Sequence, residues 1–357
     1  KQKTAYEIGV RLVGSEMCIR DRFQDKTLDG RLGAGVDPCF AVQAMIRLEP
    51  GAILEHVMLL GEADDEDHAR RLVEHYCTDG AAAKALEEVK AAWQDWLAGV
   101  QIQTPEPALD VMINGWLAYQ TLSCRIWGRS AFYQSGGAFG FRDQLQDATA
   151  LLYHDPELTR RQLLLHASHQ FQEGDVLHWW HPPTDCGIRT RFSDDLLWLP
   201  WLATFYARAT GDWRLFEEPA PFLTAQPLEP GEDERFLTPQ KSGETASLYQ
   251  HCCRALDRSL TQGLHGLPLM GTGDWNDGMN RVGREGRGES VWMGFFLYTI
   301  LGDFIPVCGQ QGDFNRARRY AGFRSHLAAA LNEHGWDGEW YRLSLIHISE
   351  PTRRTPI

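Results

Sequence analysis

From Ala108 onward the chain is a succession of helical patterns separated by long glycine-rich loops. That alternation restricts the fold to a helical array. Residues 108–125 carry Leu109, Met112, Ile113, Trp116, Leu117 and Leu122 at helical spacing. Pro156 opens a helix over 157–171, and further helices are expected over 245–262, 290–304 and 315–334. Ser193 suits the N-cap of a helix running to Thr210, with Asp194 and Asp195 at its positive end and Pro200 expected to kink it. Several of these segments are apolar nearly all round, as inner helices of a two-layer arrangement are. The loops at 127–139, 174–191 and 263–288 are rich in Gly, Trp, His and Asp. Long loops on a rigid scaffold are where binding and catalytic groups concentrate.

Before Ala108 the pattern differs. Residues 39–48 and 52–60 have the alternation of two strands, with Pro50-Gly51 as the turn between them. Helices are expected over 62–75 and 81–97, and the two prolines of 101–107 mark a boundary. Both termini spell translated sequencing adapter. Leu343–Arg353 reads L-S-L-I-H-I-S-E-P-T-R, Arg11–Asp21 reads the opposite strand of the same adapter, and Lys1–Glu7 matches a flow-cell primer. The expected division is therefore adapter at 1–22, a β-domain remnant at 23–62, a helical linker at 63–105, the helical domain at 106–342 and adapter again at 343–357.

Charge excludes one class of partner. The net charge is −13, and setting the ends aside leaves 28 basic and 44 acidic residues, a net −16. A surface this acidic is unsuited to nucleic acid. Apart from Cys18 in the first adapter segment, seven cysteines remain without regular spacing, and Cys252 and Cys253 are adjacent, which suits a reducing cytoplasm. No C-x-x-C pair or H-x-x-x-H helix calls for a metal, and no apolar run is expected to reach membrane-spanning length.

The chemistry concentrates in four loop stretches. Gly271–Met279 reads G-T-G-D-W-N-D-G-M, setting Asp274 and Asp277 three residues apart around Trp275. A carboxylic acid can protonate a glycosidic oxygen, and an indole can cover the apolar face of a pyranose. Such a stretch is also compatible with a Gly-Asp turn whose Trp plugs the core. Ser135–Asp147 brings Arg142, Asp143 and Asp147 to the point where a glycine loop becomes helix. Asp175–Pro183 holds His178, Trp179, Trp180 and His181, and Gly187–Asp195 holds Arg189, Arg191, Asp194 and Asp195. Planar charged groups beside indoles suit a neutral polyol. Each stretch also has a plainer role open to it: Arg142–Asp143 as a surface ion pair, Asp194 and Asp195 as helix caps, Trp179–Trp180 as core, and the histidines as hydrogen-bonded loop residues.

Taken together, G-G-A-F-G-F-R-D-Q-L-Q-D, G-I-R-T-R-F-S-D-D-L-L-W-L-P and G-T-G-D-W-N-D-G-M-N-R-V-G resemble glycoside hydrolase family 94, formerly glycosyltransferase family 36. The family includes cellobiose and chitobiose phosphorylases, and the wording is nearest the phosphorylase-type region of cyclic β-1,2-glucan synthases. The resemblance covers essentially all of 23–342. It implies a mainly α chain: a partial (α/α)6 barrel preceded by a helical linker and the last strands of a β-sandwich. It also implies inverting phosphorolysis of a β-glucoside, with Asp277 as the acid and Trp275 and Asp274 beside the donor sugar. Arg189, Arg191 and Asp195 would be donor-sugar ligands, and Arg142, Asp143 and Asp147 further subsite residues. The expected partners are a β-glucan oligosaccharide and inorganic phosphate as co-substrate, with no other cofactor, no membrane contact by this segment, and homodimerisation open. The family's phosphate ligands, a His and a Gly-Thr pair, would lie beyond Arg342, so little activity is expected of this chain alone. Plain hydrolysis with Asp274 or Glu289 as base, a cellobiose-phosphorylase-like activity, and a silent carbohydrate-binding segment are the alternatives.

Overall fold

The computed structural model describes residues 10–12, 40–42, 44–128, 130–131 and 134–346 of the 357. Cys39 and Gln43 of the first expected strand, and most of the two adapter-like ends, lie outside them. The chain falls into two compact units, 1–87 and 88–357.

In the first unit Val10–Leu12 pairs antiparallel with Phe40–Val42. The turn expected at Pro50-Gly51 is present, with Gly51 at φ 82 and the Ala52 amide donating to Glu49 O at 2.9 Å. The strand expected over 52–60 does not form. It runs without ladder partners among the described residues, leaving Ile53 and Leu60 exposed. Apolar alternation selects a strand only when neighbouring strands take up its hydrogen bonds. Helix Glu66–Tyr76 starts on Asp65, whose carboxylate accepts from the His68 amide at 2.7 Å.

The second unit is mainly helical. Helix 107–127 alternates α and π turns, over Pro107–Val111, Met112–Trp116, Leu117–Gln120 and Thr121–Trp127. Phe141–Leu151, Pro156–Ala167, Trp198–Thr210, Leu248–Ser259, Val291–Gln310 and Phe314–Ala330 follow. Their inner faces share one core that includes Leu145, Leu163, Leu202, Leu256, Leu297 and Phe304. Burying each such side chain fully contributes about 1.5–3 kcal/mol.

Four expectations are corrected here. Residues 174–191 are not a loop: Leu177–His181 and Cys186–Thr190 are the middle strands of a four-stranded antiparallel sheet flanked by Phe139–Gly140 and Glu234–Leu237. Gly187 makes the pairing possible, since a Cβ there would lie 2.2 Å from the Trp179 carbonyl oxygen. Pro200 does not kink its helix, because Trp198–Thr210 begins two residues earlier and places it in the first turn. Ser193 does not cap it either; its hydroxyl donates to Gly273 O at 3.1 Å. Finally, Val291–Gln310 is long and apolar enough by length and composition to cross a membrane. Half of its apolar span is buried inside the protein, and its Asp303 accepts from Arg208 at 2.7 Å, so it serves here as a core helix.

Candidate active site

The four stretches meet, and backbone hydrogen bonds bring 187–195 and 271–279 together. The Ser193 amide donates to Gly273 O at 2.9 Å, and the Thr272 amide to Arg191 O at 3.2 Å. Phe192 thus bridges to both Gly271 and Gly273. Glycine is required at 271, where φ is +66 and a Cβ would sit 2.0 Å from Arg191 O. This lacing holds the D-W-N-D loop against the R-F-S-D-D segment.

Within the loop the two aspartates have different fates. Asp274 is fully buried. Its Oδ1 accepts from the Asn276 amide at 2.8 Å and its Oδ2 from the Ser290 hydroxyl at 2.6 Å. Ser290 in turn caps helix Val291–Gln310. Asp274 therefore pins the loop to a helix start and presents no carboxylate to a ligand. Asp277 opens a short 3-10 turn with its side chain 61% exposed, and its Oδ1 accepts from Arg142 Nη2 at 2.8 Å. Trp275 is half exposed, 6.4 Å from Trp292 between ring centroids, and a file of rings continues through Phe296, Trp198 and Trp201.

Arg142 joins three of the stretches. Almost wholly buried at the start of helix Phe141–Leu151, it also donates from Nη1 to Asp194 Oδ2 at 3.3 Å and to Asp274 O at 3.4 Å. Burial opposes the guanidinium charge, but Asp194, Asp195 and Asp277 outweigh it and raise its pKa. Asp194 is fully buried and accepts from Trp198 Nε1 at 3.1 Å. Burial and the adjacent Asp195 raise its pKa well above the usual carboxylate range, against the pull of Arg142. The stretch 175–183 supplies His178, whose Nδ1 lies 2.7 Å from Asp195 Oδ2 and whose ring stacks on Phe192 at 4.6 Å. Burial works against the imidazolium, yet Asp195 prevails and the pKa of His178 is raised. Asp195 Oδ1 is buried with no hydrogen-bond partner among the described residues. Such an atom awaits a donor, and a ligand hydroxyl is one.

Other expected residues are committed elsewhere. Arg189 is buried over the Phe171 ring at 3.8 Å and donates to both oxygens of Asp175, at 2.7 and 2.8 Å, and to Glu173 at 3.0 Å. A role at a sugar would require it to exchange these partners for hydroxyls. Arg191 donates to the carbonyls of Leu228, Glu229 and Glu232 instead. Asp147 accepts from Arg125 at 2.8 Å, and Asp143 folds back over Gly140 at the start of its own helix. Glu289, weighed as a hydrolytic base, is fully buried, accepting from the amides of His265 and Leu267 at 3.0 Å each. Sequence reasoning left Asp194 open between a polyol-binding stretch and a helix cap, its adjacent acids being the signal, and missed Ser290, which nothing local marked. No cluster of His, Cys, Asp and Glu fit for a metal occurs among the described residues.

Comparisons with known proteins identify the family. Residues 92–351 match the glycosyl hydrolase 94 superfamily catalytic domain and residues 21–79 its supersandwich domain. The chain is 45% identical over 316 residues to the cyclic beta-(1,2)-glucan synthase NdvB of Rhizobium meliloti, covering 88% of this chain and 11% of that protein. It is 29% identical to solabiose phosphorylase of Paenibacillus borealis, covering 87% of this chain and 37% of the relative. It is 27% identical to cellobionic acid phosphorylase of Neurospora crassa, covering 89% and 38%. The chain thus spans between a tenth and two fifths of the length of these relatives. On the match over 92–351 and the 45% identity across 88% of its length, this chain belongs to glycoside hydrolase family 94.

Proposed function

We propose that the chain carries the acid and donor-sugar side of an inverting glycoside phosphorylase acting on β-glucosides, with β-1,2-linked oligoglucan as substrate and α-glucose 1-phosphate as product. The helical unit would then be part of an (α/α)6 barrel. Asp277 donates a proton to the glycosidic oxygen as the C1–O bond breaks. An oxygen of inorganic phosphate attacks C1 from the opposite face. The leaving sugar keeps the proton and the former glycosidic oxygen, and phosphate takes C1 with inversion. Phosphate is the only co-substrate, and the location is cytoplasmic.

The observation that carries this reading is the exposed Asp277 side chain beside a half-exposed indole, in the loop laced to 187–195. Inverting hydrolysis needs a second carboxylate about 6.5–9.5 Å away to activate water. Asp274 and Glu289, the acids considered for that task, are fully buried and committed to protein donors. A phosphate dianion needs no such base, which favours phosphorolysis. The name of the Rhizobium meliloti relative supports the β-1,2 linkage.

Turnover is expected of the longer parent protein, which is where the test belongs. Asp277→Asn should abolish glucose 1-phosphate formation while leaving oligosaccharide affinity within a few-fold, and undiminished phosphorolysis would remove the assignment. Free glucose released without phosphate would indicate hydrolysis. Sugar binding without glucose 1-phosphate in either direction would indicate a binding segment.

A further inference from the structure

A cavity of about 520 Å³ lies behind the D-W-N-D loop, within the size range of small-molecule sites. It is lined by the segment Thr190–Ser193, by Gly271 and Thr272, by the turn at 283–286 and by Thr261. Arg142, His178, Asp195, Trp275 and Asp277 do not line it. Phe192 does, while its ring also stacks on His178. The cavity therefore shares Phe192 with the site around Asp277 but none of that site's charged side chains.

Its walls have the two-sided character of a sugar site. Phe192, Leu196, Leu269 and Met293 supply apolar surface. Most hydroxyls in the wall are engaged: Thr190 accepts from the Phe192 amide at 3.2 Å, Thr261 from the Leu269 amide at 3.1 Å, and Ser193 donates to Gly273 O. Thr272 is the exception. It is 7% exposed, and its Oγ1 is buried with no partner among the described residues. A hydroxyl in that state loses free energy unless a ligand or water satisfies it. The wall carries charges of both signs, Asp175, Asp233 and Glu285 beside Arg258 and Arg284, while Arg191 is held by backbone carbonyls. A neutral polyol can donate to the carboxylates and accept from the guanidinium groups.

We propose that this cavity is a second sugar site, which holds a glucose unit of a gluco-oligosaccharide apart from the residues around Asp277. The substrate class rests on the function proposed above; the position of the site does not. A second grip on a glucan would keep it attached while its reacting end is released from Asp277.

The test is calorimetric titration of the 357-residue chain with a β-1,2-linked glucotetraose. Two sites per chain are expected. Trp275→Ala should remove one, and Thr272→Val in that background should weaken the other about tenfold, the loss of one hydrogen bond. Thr272→Ser, which keeps the hydroxyl, should bind as the parent does. A single site abolished by Trp275→Ala would overturn the inference and leave the proposed function standing. A single site sensitive only to Thr272→Val would do the reverse. No binding, or a surviving site indifferent to Thr272→Val, overturns the inference, as does inorganic phosphate competing with the sugar for the Thr272-dependent site.

Discussion

Replacing Arg142 by methionine isolates the electrostatics of the site. The guanidinium is the cationic partner of Asp194, which is fully buried next to Asp195 and otherwise accepts, among the described residues, only from Trp198. Removing one partner of a buried pair costs about 3–5 kcal/mol, because a charge is left uncompensated in a poor dielectric. Proton uptake moderates the penalty. The pKa of Asp194 is already raised in the presence of Arg142, and without it Asp194 holds a proton to still higher pH. A raised folded pKa contributes stability that is complete below the unfolded value and lost as pH rises through the folded one. The deficit of Arg142→Met should therefore sit near the lower figure at pH 6 and widen at pH 8.5, by at most about 1.4 kcal/mol per pH unit. Urea unfolding followed by tryptophan emission at several pH values measures it. The double variant Arg142→Met/Asp194→Asn should recover most of the loss and abolish the widening. A deficit below about 1 kcal/mol, or one that stays constant with pH, would refute the argument that Arg142 neutralises a buried acid.

Acid should weaken the fold through His166. Its pKa is lowered to about 3, chiefly by burial, its Nδ1 lies 2.7 Å from Gln162 O, and its Nε2 is buried without a partner among the described residues. A lowered histidine contributes stability above its unfolded pKa that is lost as pH falls below about 6.5, or about 2 kcal/mol by pH 5. His166→Gln should flatten the pH 5–7 stability profile, and an unchanged slope would contradict this. Ser290→Ala removes both the donor to Asp274 and a helix cap, so a loss of about 1–3 kcal/mol in urea unfolding is expected, together with weaker oligosaccharide binding.

The helical order was readable because periodicity is local. The limits of Ala81–Leu97 could be taken from the sequence, and the helix at 291–310 was foreseen as far as Phe304. The sheet was not, because Leu177–His181 and Cys186–Thr190 carry too much Gly, His and Trp to alternate cleanly and gain strand character only from Phe139–Gly140 and Glu234–Leu237, distant in sequence. The same distinction holds at the site. The D-W-N-D loop stood out by composition, but that Asp274 would be buried and Asp277 exposed depends on Ser290 and Arg142, sixteen and 135 residues away. The spacing of Arg189 could not reveal that Asp175, on a neighbouring segment, would take its donors.

The pairing of Phe192 with Gly271 and Gly273 makes two sequence-distant segments a single cassette for engineering. An insertion in either would slide its partner along with it, so grafting a relative's loop at 271–277 alone would break the register that Ser193 and Thr272 keep. Exchanges meant to alter which sugar is accepted should transplant 190–195 and 271–277 together, at matched length.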